Sequence, residues 1–265
     1  MPDDVYTHGQ HESVLRAQRW RTAENSAGYL LPKLRQGMAI LDIGCGPGTI
    51  TIDLARVVAP GLVAGIDRSA EVIEGAAATD GLPDNVTFAV GDVYTLNAGD
   101  GSFDVVHAHQ VLQHLSGPVA ALREMRRVCR PGGIVAVRDA DYEAFTWAPE
   151  DERLSAWLRT YRSVAKDNGA EPDAGRRLKQ WARQAGFSKI LATASVWCFS
   201  EEQDRSWWGS LWADRLVSSD FARQAVAGGH VTSKELTEMA DAFRLWADHP
   251  DGWFAVLHGE VVATP

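Results

Sequence analysis

Cysteine is scarce in this chain: Cys45, Cys129 and Cys198 are the only three in 265 residues, and they lie far apart. An odd, dispersed set gives neither a disulfide framework nor the paired spacing of a zinc knuckle. Positive charge is also in deficit. Lys and Arg total 26 against 35 Asp and Glu, a net charge of −9 with His neutral, whereas a nucleic-acid surface needs Lys and Arg to replace phosphate counterions. No apolar run approaches the ~20 residues that cross a bilayer. The polar start MPDDVYTHGQHE lacks the basic-then-apolar pattern of a secretory signal. These absences argue against nucleic-acid and membrane partners and make a cytoplasmic protein the expectation. There is no internal repeat and no low-complexity tract. What the chain has in abundance is tryptophan, ten residues, seven of them after residue 180.

From residue 38 to about 140, short β-branched runs alternate with helical stretches. The expected strands are MAILDIG (38–44), LVAGID (62–67), VTFAVGD (86–92), FDVVHAH (103–109) and GGIVAVRDA (132–140). Their near-continuous apolar character suits parallel strands buried on both faces. Helices are expected at about 49–59, 69–79 and 117–130. In the last, Val119, Leu122, Met125, Val128 and Cys129 recur at helical spacing, and Pro131-Gly132-Gly133 stops the helix. Alternating strand and helix is the signature of an open, mostly parallel α/β sheet.

Ahead of this core, residues 12–35 read as helical, with Leu15, Trp20, Ala23, Ala27, Leu30 and Leu31 on the apolar face. Behind it come amphipathic stretches at about 150–168 and 173–186 and a β-rich run, KILATASVWCFS (189–200). A helical segment of roughly 50 residues then leads to a last strand, WFAVLHGEVVAT. The final two strands are expected to form an antiparallel pair added to the parallel sheet, below the helical segment.

The strongest local signal is LDIGCGPGTIT, residues 41–51. Strand one ends at Asp42-Ile43, and Gly44, Gly46 and Gly48 follow at alternating positions. So tight a strand-to-helix turn needs unusual backbone angles, and a ligand lying across it must meet backbone with no Cβ in the way. A dinucleotide fingerprint would place its third glycine at position 49, which is Thr49 here, and no Lys-Ser/Thr pair follows as in a phosphate-binding P-loop.

The spacing Asp-x-Gly-x-Gly-x-Gly resembles motif I of the class I S-adenosylmethionine (SAM)-dependent methyltransferases, whose cofactor carries a sulfonium and no phosphate. The resemblance continues through Asp67 in GIDRS, Asp92 in GDVYTL, FDVVHAHQVLQHL and the lead-in RVCRPGGIVAV. This series is similar to the ubiquinone/menaquinone-biosynthesis-type (methyltransferase type 11-like) branch, and it spans residues 38–140. It implies a Rossmann-like α/β fold: a mostly parallel seven-stranded sheet with an antiparallel last strand, forming one structural domain. Within it, residues 1–36 would cap the cofactor, 37–200 form the SAM-binding core, 201–250 a Trp-rich helical lid insertion, and 251–265 the final strand.

The resemblance also implies the cofactor contacts. Asp67 would accept from both ribose hydroxyls, as a two-oxygen carboxylate suits a vicinal diol. Asp92 would accept from the adenine amino group while the Val93 amide serves a ring nitrogen. Gly44, Cys45, Gly46 and Arg68 would complete the cradle, with His109 and Gln110 bordering the methionine end. Tyr6 and Trp20 would close over it from the amino-terminal segment. Asp42 would bond turn amides or the ammonium group, or simply brace the turn.

His107 and His109 share a strand face, with His114 a turn later, but a metal site is not the expectation. A phenol or alcohol acceptor would need a general base, for which His109 or Asp139 is the candidate, and Asp141 lies beside the latter. Trp207, Trp208, Trp212 and Trp246 suit an apolar or aromatic small-molecule acceptor. The implied reaction is in-line methyl transfer from SAM, giving S-adenosylhomocysteine. With no convincing base in the sequence, a thiol or an acidic carbon is the expected nucleophile, as in thiol methylation or C-methylation of secondary or quinone metabolism. The rival readings are a nicotinamide-dependent oxidoreductase and a non-catalytic SAM-binding regulatory protein. Oligomeric state is open.

Overall fold

The computed structural model describes Asp4, Thr7 and residues 12–265. Tyr6, assigned above to the cofactor cap, lies outside the described residues, as do His8 and His11. The segment ahead of the core is not one helix. It divides into α1 (Glu12–Arg19), α2 (Ala23–Ala27) and a short 3-10 turn, Leu31–Lys33. Thr22 causes the first break: its side chain accepts from the Asn25 amide while Asn25 bonds back, a capping box that restarts the helix. Pro32 ends the run.

The core then follows in order. It comprises β1 (Ile40–Ile43), α3 (Thr49–Val58), β2 (Val63–Asp67), α4 (Ala70–Ala77), β3 (Val86–Val90), β4 (Phe103–His109), α5 (Pro118–Val128) and β5 (Cys129–Ala140). Strand β5 begins at Cys129, three residues before the expected start, because α5 ends at Val128 and Pro131-Gly132-Gly133 is absorbed into the strand. The short strand β6 (Thr146–Ala148) has no clear sequence signal and is an eighth strand beyond the seven expected. Next come α6 (Glu152–Asp167), α7 (Leu178–Gln184) and β7 (Lys189–Phe199). The long helical insertion is three helices, α8 (Glu202–Ser218), α9 (Asp220–Ala227) and α10 (Ser233–Asp248), before β8 (Trp253–Thr264).

The strands form a single sheet in the order β3-β2-β1-β4-β5-β8, with β8 also pairing β6 and β7. The five core strands are parallel, while β8 runs antiparallel to β5, β6 and β7. β1 is buried along its whole length, as a central parallel strand should be. Its neighbours are β2 on one side and β4 on the other, so the chain order reverses there and leaves a crevice at the carboxyl ends of the strands.

Strand alternation then sorts side chains to opposite faces. Leu41, Ile43, Val106 and Val137 pack with α5 and α7. Ile40, Val105 and Ala136 pack with α2 and α3. The insertion packs on α6 and β8 through an aromatic cluster of Trp157 from α6, Trp212 and Phe243 from the insertion and Phe254 from β8. No helix among the described residues is long and apolar enough to cross a membrane.

Candidate active site

The crevice opens into a cavity of about 480 Å³, within the usual range for small-molecule sites. At its β1–β2 end the glycine turn forms the floor. Gly44 and Gly46 adopt φ of +65° and +55°, a region that L-side chains rarely enter. A Cβ on Gly44 would sit 2.4 Å from the Val111 side chain, so this position cannot carry one. The Asp67 carboxylate is aimed along the turn: Oδ2 accepts from the Gly46 amide at 3.1 Å and Oδ1 from the Ser69 amide at 3.1 Å. Val93 is buried on the wall nearby. Arg68 also lines the cavity and donates to the Asp4 carbonyl at 3.4 Å.

Cys45 lies between the two glycines, where burial first, then Asp42 and Asp67, push its thiol well above the ordinary range. It is a protonated wall residue, not a nucleophile. Asp42 does not reach the turn amides. Its Oδ2 accepts from the Thr51 hydroxyl at 2.6 Å and its Oδ1 bonds His107 Nδ1 at 2.7 Å, so both side chains brace β1 against α3 and β4. His114 lines the cavity and contacts the Gln113 side chain at 3.0 Å.

Two expected residues are absent from the cavity wall. Asp92 folds back on its own loop, its Oδ1 accepting from the Tyr94 amide at 2.9 Å. Asp139 is fully buried with Oδ1 on the Gln113 amide at 3.0 Å, and burial pushes its carboxyl up to about 7. The reason is strand geometry. In the sheet register His109 is opposite Arg138, so those two share a face and Asp139, the next residue, turns to the other. Asp139 therefore does not join His109 at the cavity. Asp141 is likewise engaged, holding both side-chain oxygens against Arg176 at 2.6 Å.

His109 is only 4% exposed and borders the cavity, and neither of its ring nitrogens has a hydrogen-bond partner among the described residues. Burial first, then Arg21, Arg138, His258 and His107, hold its pKa well below the ordinary histidine value, so the ring is neutral. One nitrogen of a neutral imidazole is a donor and the other an acceptor. Around it stand aromatic rings. Trp197 is 5.6 Å from His109, Trp20 lies 5.1 Å from both Trp197 and Trp207, and Phe199 stacks on Trp208 at 4.4 Å. Trp208 is buried on the wall with its indole N–H unpartnered among the described residues.

Gln110 has a backbone φ of +53° and bridges two elements. Its Oε1 accepts from Arg21 Nη2 at 2.5 Å, and its Nε2 lies 2.8 Å from His258 Nε2, whose other ring nitrogen donates to the Val256 carbonyl. The sequence reading missed Arg21, Trp197 and His258. Arg21 follows Trp20 just before the Thr22 cap and carries no motif, while Trp197 and His258 reach the site only through the β7–β8 register.

The cradle fits SAM. Gly44 and Gly46 present backbone to the cavity, Asp67 supplies a carboxylate for a diol, and Val93 supplies apolar wall. It fits a dinucleotide poorly, because the first turn of α3, where a pyrophosphate would lie, is covered by α1: the Thr49 hydroxyl donates to the Gln18 carbonyl at 3.3 Å. A family model described as a methyltransferase domain matches residues 34–197. The chain belongs to this methyltransferase family.

Members of the family use SAM, and this chain is accordingly a SAM-dependent methyltransferase. It is similar to an uncharacterized methyltransferase of Schizosaccharomyces pombe, C1B3.06c, with 32% identity over 97% of this chain and 95% of the relative. It is also similar to a demethylmenaquinone methyltransferase of Beutenbergia cavernae, 34% identical over 60% of this chain and 66% of that protein. Among solved structures, the YcgJ protein of Bacillus subtilis aligns with a TM-score of 0.58 at 20% identity, covering 91% of this chain and 98% of that one, and shares the fold.

Proposed function

We propose that this methyltransferase acts on a hydroxyl group carried by a flat, aromatic small molecule, with His109 as the general base. The carrying observation is the placement of His109: buried on the cavity wall with both ring nitrogens unpartnered among the described residues. A thiol or acidic carbon acceptor is attractive only where no base exists. A neutral imidazole poised in the cavity removes that reason and suits a phenolic or enolic hydroxyl, which must lose its proton as it attacks.

Cofactor and acceptor are assigned to opposite ends. The β1–β2 end, with Gly44, Cys45, Gly46, Asp67, Arg68 and Val93, takes the adenosine part of SAM. SAM supplies an activated methyl group when bound. The end formed by Trp20, Trp197, Trp207 and Trp208 takes the acceptor ring. Indole surfaces bury a flat ring well and the unpartnered Trp208 N–H calls for an oxygen on it. The protein's part is to hold the two reactants in line and keep water out, and orientation of this kind contributes several orders of magnitude in rate. That the Beutenbergia relative is named for demethylmenaquinone supports a small organic acceptor.

The test is incubation of the enzyme with methyl-deuterated SAM and a metabolite extract, followed by mass spectrometry. The expected result is deuterated methyl on hydroxyaromatic compounds, with much slower labelling by His109→Ala. Label confined to thiols, or an unaffected rate in the variant, contradicts the proposal.

A further inference from the structure

Behind the acceptor wall lies a buried ion pair. Arg138 on β5 and Glu260 on β8 are register partners, 1% and 5% exposed, with Arg138 Nε 3.4 Å from Glu260 Oε1. Neither is on the wall of the cavity. Strand β7 completes the clamp. The Ser195 hydroxyl accepts from Arg138 Nε at 3.1 Å and donates to Glu260 Oε1 at 2.5 Å, and the Thr193 hydroxyl donates to Glu260 Oε2 at 2.7 Å. Three strands therefore converge on one guanidinium. Burial pushes its pKa down to about 10, which leaves it cationic at neutral pH. Stability gives no reason for such a pair, because desolvating two charges offsets their attraction and apolar replacements are often neutral. Arg138 Nη1 also has no partner among the described residues, so the pair is not a fully satisfied structural bridge.

What the guanidinium does meet is a ring of the acceptor end. Its central carbon lies over Trp197 at 4.8 Å, and Trp197 is on the cavity wall, 5.6 Å from His109. Arg138 is also the register partner of His109, so the two share a face of the sheet. The Trp197 indole N–H donates to the Asn25 carbonyl at 2.6 Å, and Trp20 forms a T-shaped pair with it at 5.1 Å. We infer that Arg138 is a positioning residue for methyl transfer: clamped by Glu260 and Ser195, it fixes the Trp197 ring beside His109 and so sets the acceptor's place against the base. The inference rests on the acceptor end proposed above. A cation over an indole face is held most strongly where it is desolvated, as it is here. The same charge bears on His109. The cationic and titratable groups around that imidazole are Arg21 beyond α1, Arg138 on β5, His258 on β8 and His107 on β4, and each opposes a second proton on the ring. The carboxylates on this sheet face are turned elsewhere, Glu260 to the β7 hydroxyls and Asp42 to His107 and Thr51. Removing the Arg138 charge therefore makes His109 easier to protonate.

The experiment compares two probes by calorimetry: S-adenosylhomocysteine for the cofactor end and, in that complex, 1-naphthol, a flat hydroxyaromatic compound, for the acceptor end. Arg138→Met/Glu260→Gln removes both charges and strands neither, while Arg138→Lys keeps the cation. The protonation midpoint of His109 is read by NMR of histidine-labelled protein in the same complex, its signal assigned by its loss in His109→Gln. The double variant is expected to bind S-adenosylhomocysteine as wild type does, which also shows that it is folded. It should bind 1-naphthol about 10-fold more weakly, the upper scale of a cation–π contact, and its His109 midpoint should rise by about one unit. Arg138→Lys should recover most of both effects. Unchanged 1-naphthol affinity, an unmoved midpoint, equal losses for both probes, or a lysine variant no better than the double one each overturn the role of Arg138, while 1-naphthol binding by wild type keeps the acceptor end standing. Failure of wild-type protein to bind 1-naphthol removes the acceptor end itself, and this inference with it.

Discussion

Asp42 and His107 meet across β1 and β4 at 2.7 Å, each in the other's register position and each almost wholly buried. The same carboxylate takes the Thr51 hydroxyl, so one residue ties two strands and α3 together directly below the glycine floor. Asp42→Ala strands both partners in the interior and is expected to cost about 2–4 kcal/mol of stability. Urea unfolding of the variant measures this. A loss under a few tenths of a kcal/mol would show that the pair is not bracing the floor.

The neutrality of His109 sets the pH dependence of turnover. A base must be unprotonated to act, and burial together with Arg21 and Arg138 lowers its pKa. The acid limb of kcat/KM should therefore lie well below the ordinary histidine value of about 6.5. His109→Ala is expected to lower kcat by about 100-fold or more while S-adenosylhomocysteine affinity by calorimetry stays at the wild-type level. A limb at the ordinary value, or a wild-type rate in the variant, would remove His109 from the chemistry.

Stability should also depend on pH, in a direction that follows from the buried groups. His109, His114 and His258 have pKa values pushed below the ordinary value by burial. Below about pH 6.5 the unfolded chain takes up protons at these sites and the folded protein does not, so stability falls with pH. Asp139 acts oppositely. Its folded-state carboxyl, raised to about 7, holds a proton that the unfolded chain releases, and its contribution is lost as pH rises through that value. Three histidines outweigh one carboxyl. Thermal midpoints should therefore drop steadily from pH 6.5 towards the ordinary carboxylate range. Asp139→Asn should keep full activity and gain stability relative to wild type above pH 7; a loss of activity would return Asp139 to the site.

What could be read from the sequence and what could not divide along physical lines. The glycine turn and Asp67 are local features, each written in a few consecutive residues, and the order of strands around them follows from apolar runs. Residue spacing within one strand also placed His107 and His109 on one face. Contacts set by register between distant strands were not legible. The opposition of His109 to Arg138, which turns Asp139 away, depends on how β4 and β5 align. The same holds for Trp197 and His258, adjacent rings at 4.3 Å contributed by β7 and β8. β6 escaped notice because three residues are too few for a periodic signal. Arg21 has no motif at all and becomes visible only through its bond to Gln110.

The most direct test is calorimetric titration of S-adenosylhomocysteine and NADH into wild-type protein, Asp67→Ala and Gly46→Arg. Wild-type protein should bind S-adenosylhomocysteine and ignore NADH. Asp67→Ala should weaken the first by about 10-fold or more, since a charged acceptor for two hydroxyls is gone. Gly46→Arg should abolish binding by filling the floor. Unchanged S-adenosylhomocysteine affinity in both variants, or NADH binding to the wild type, would contradict the cradle described here.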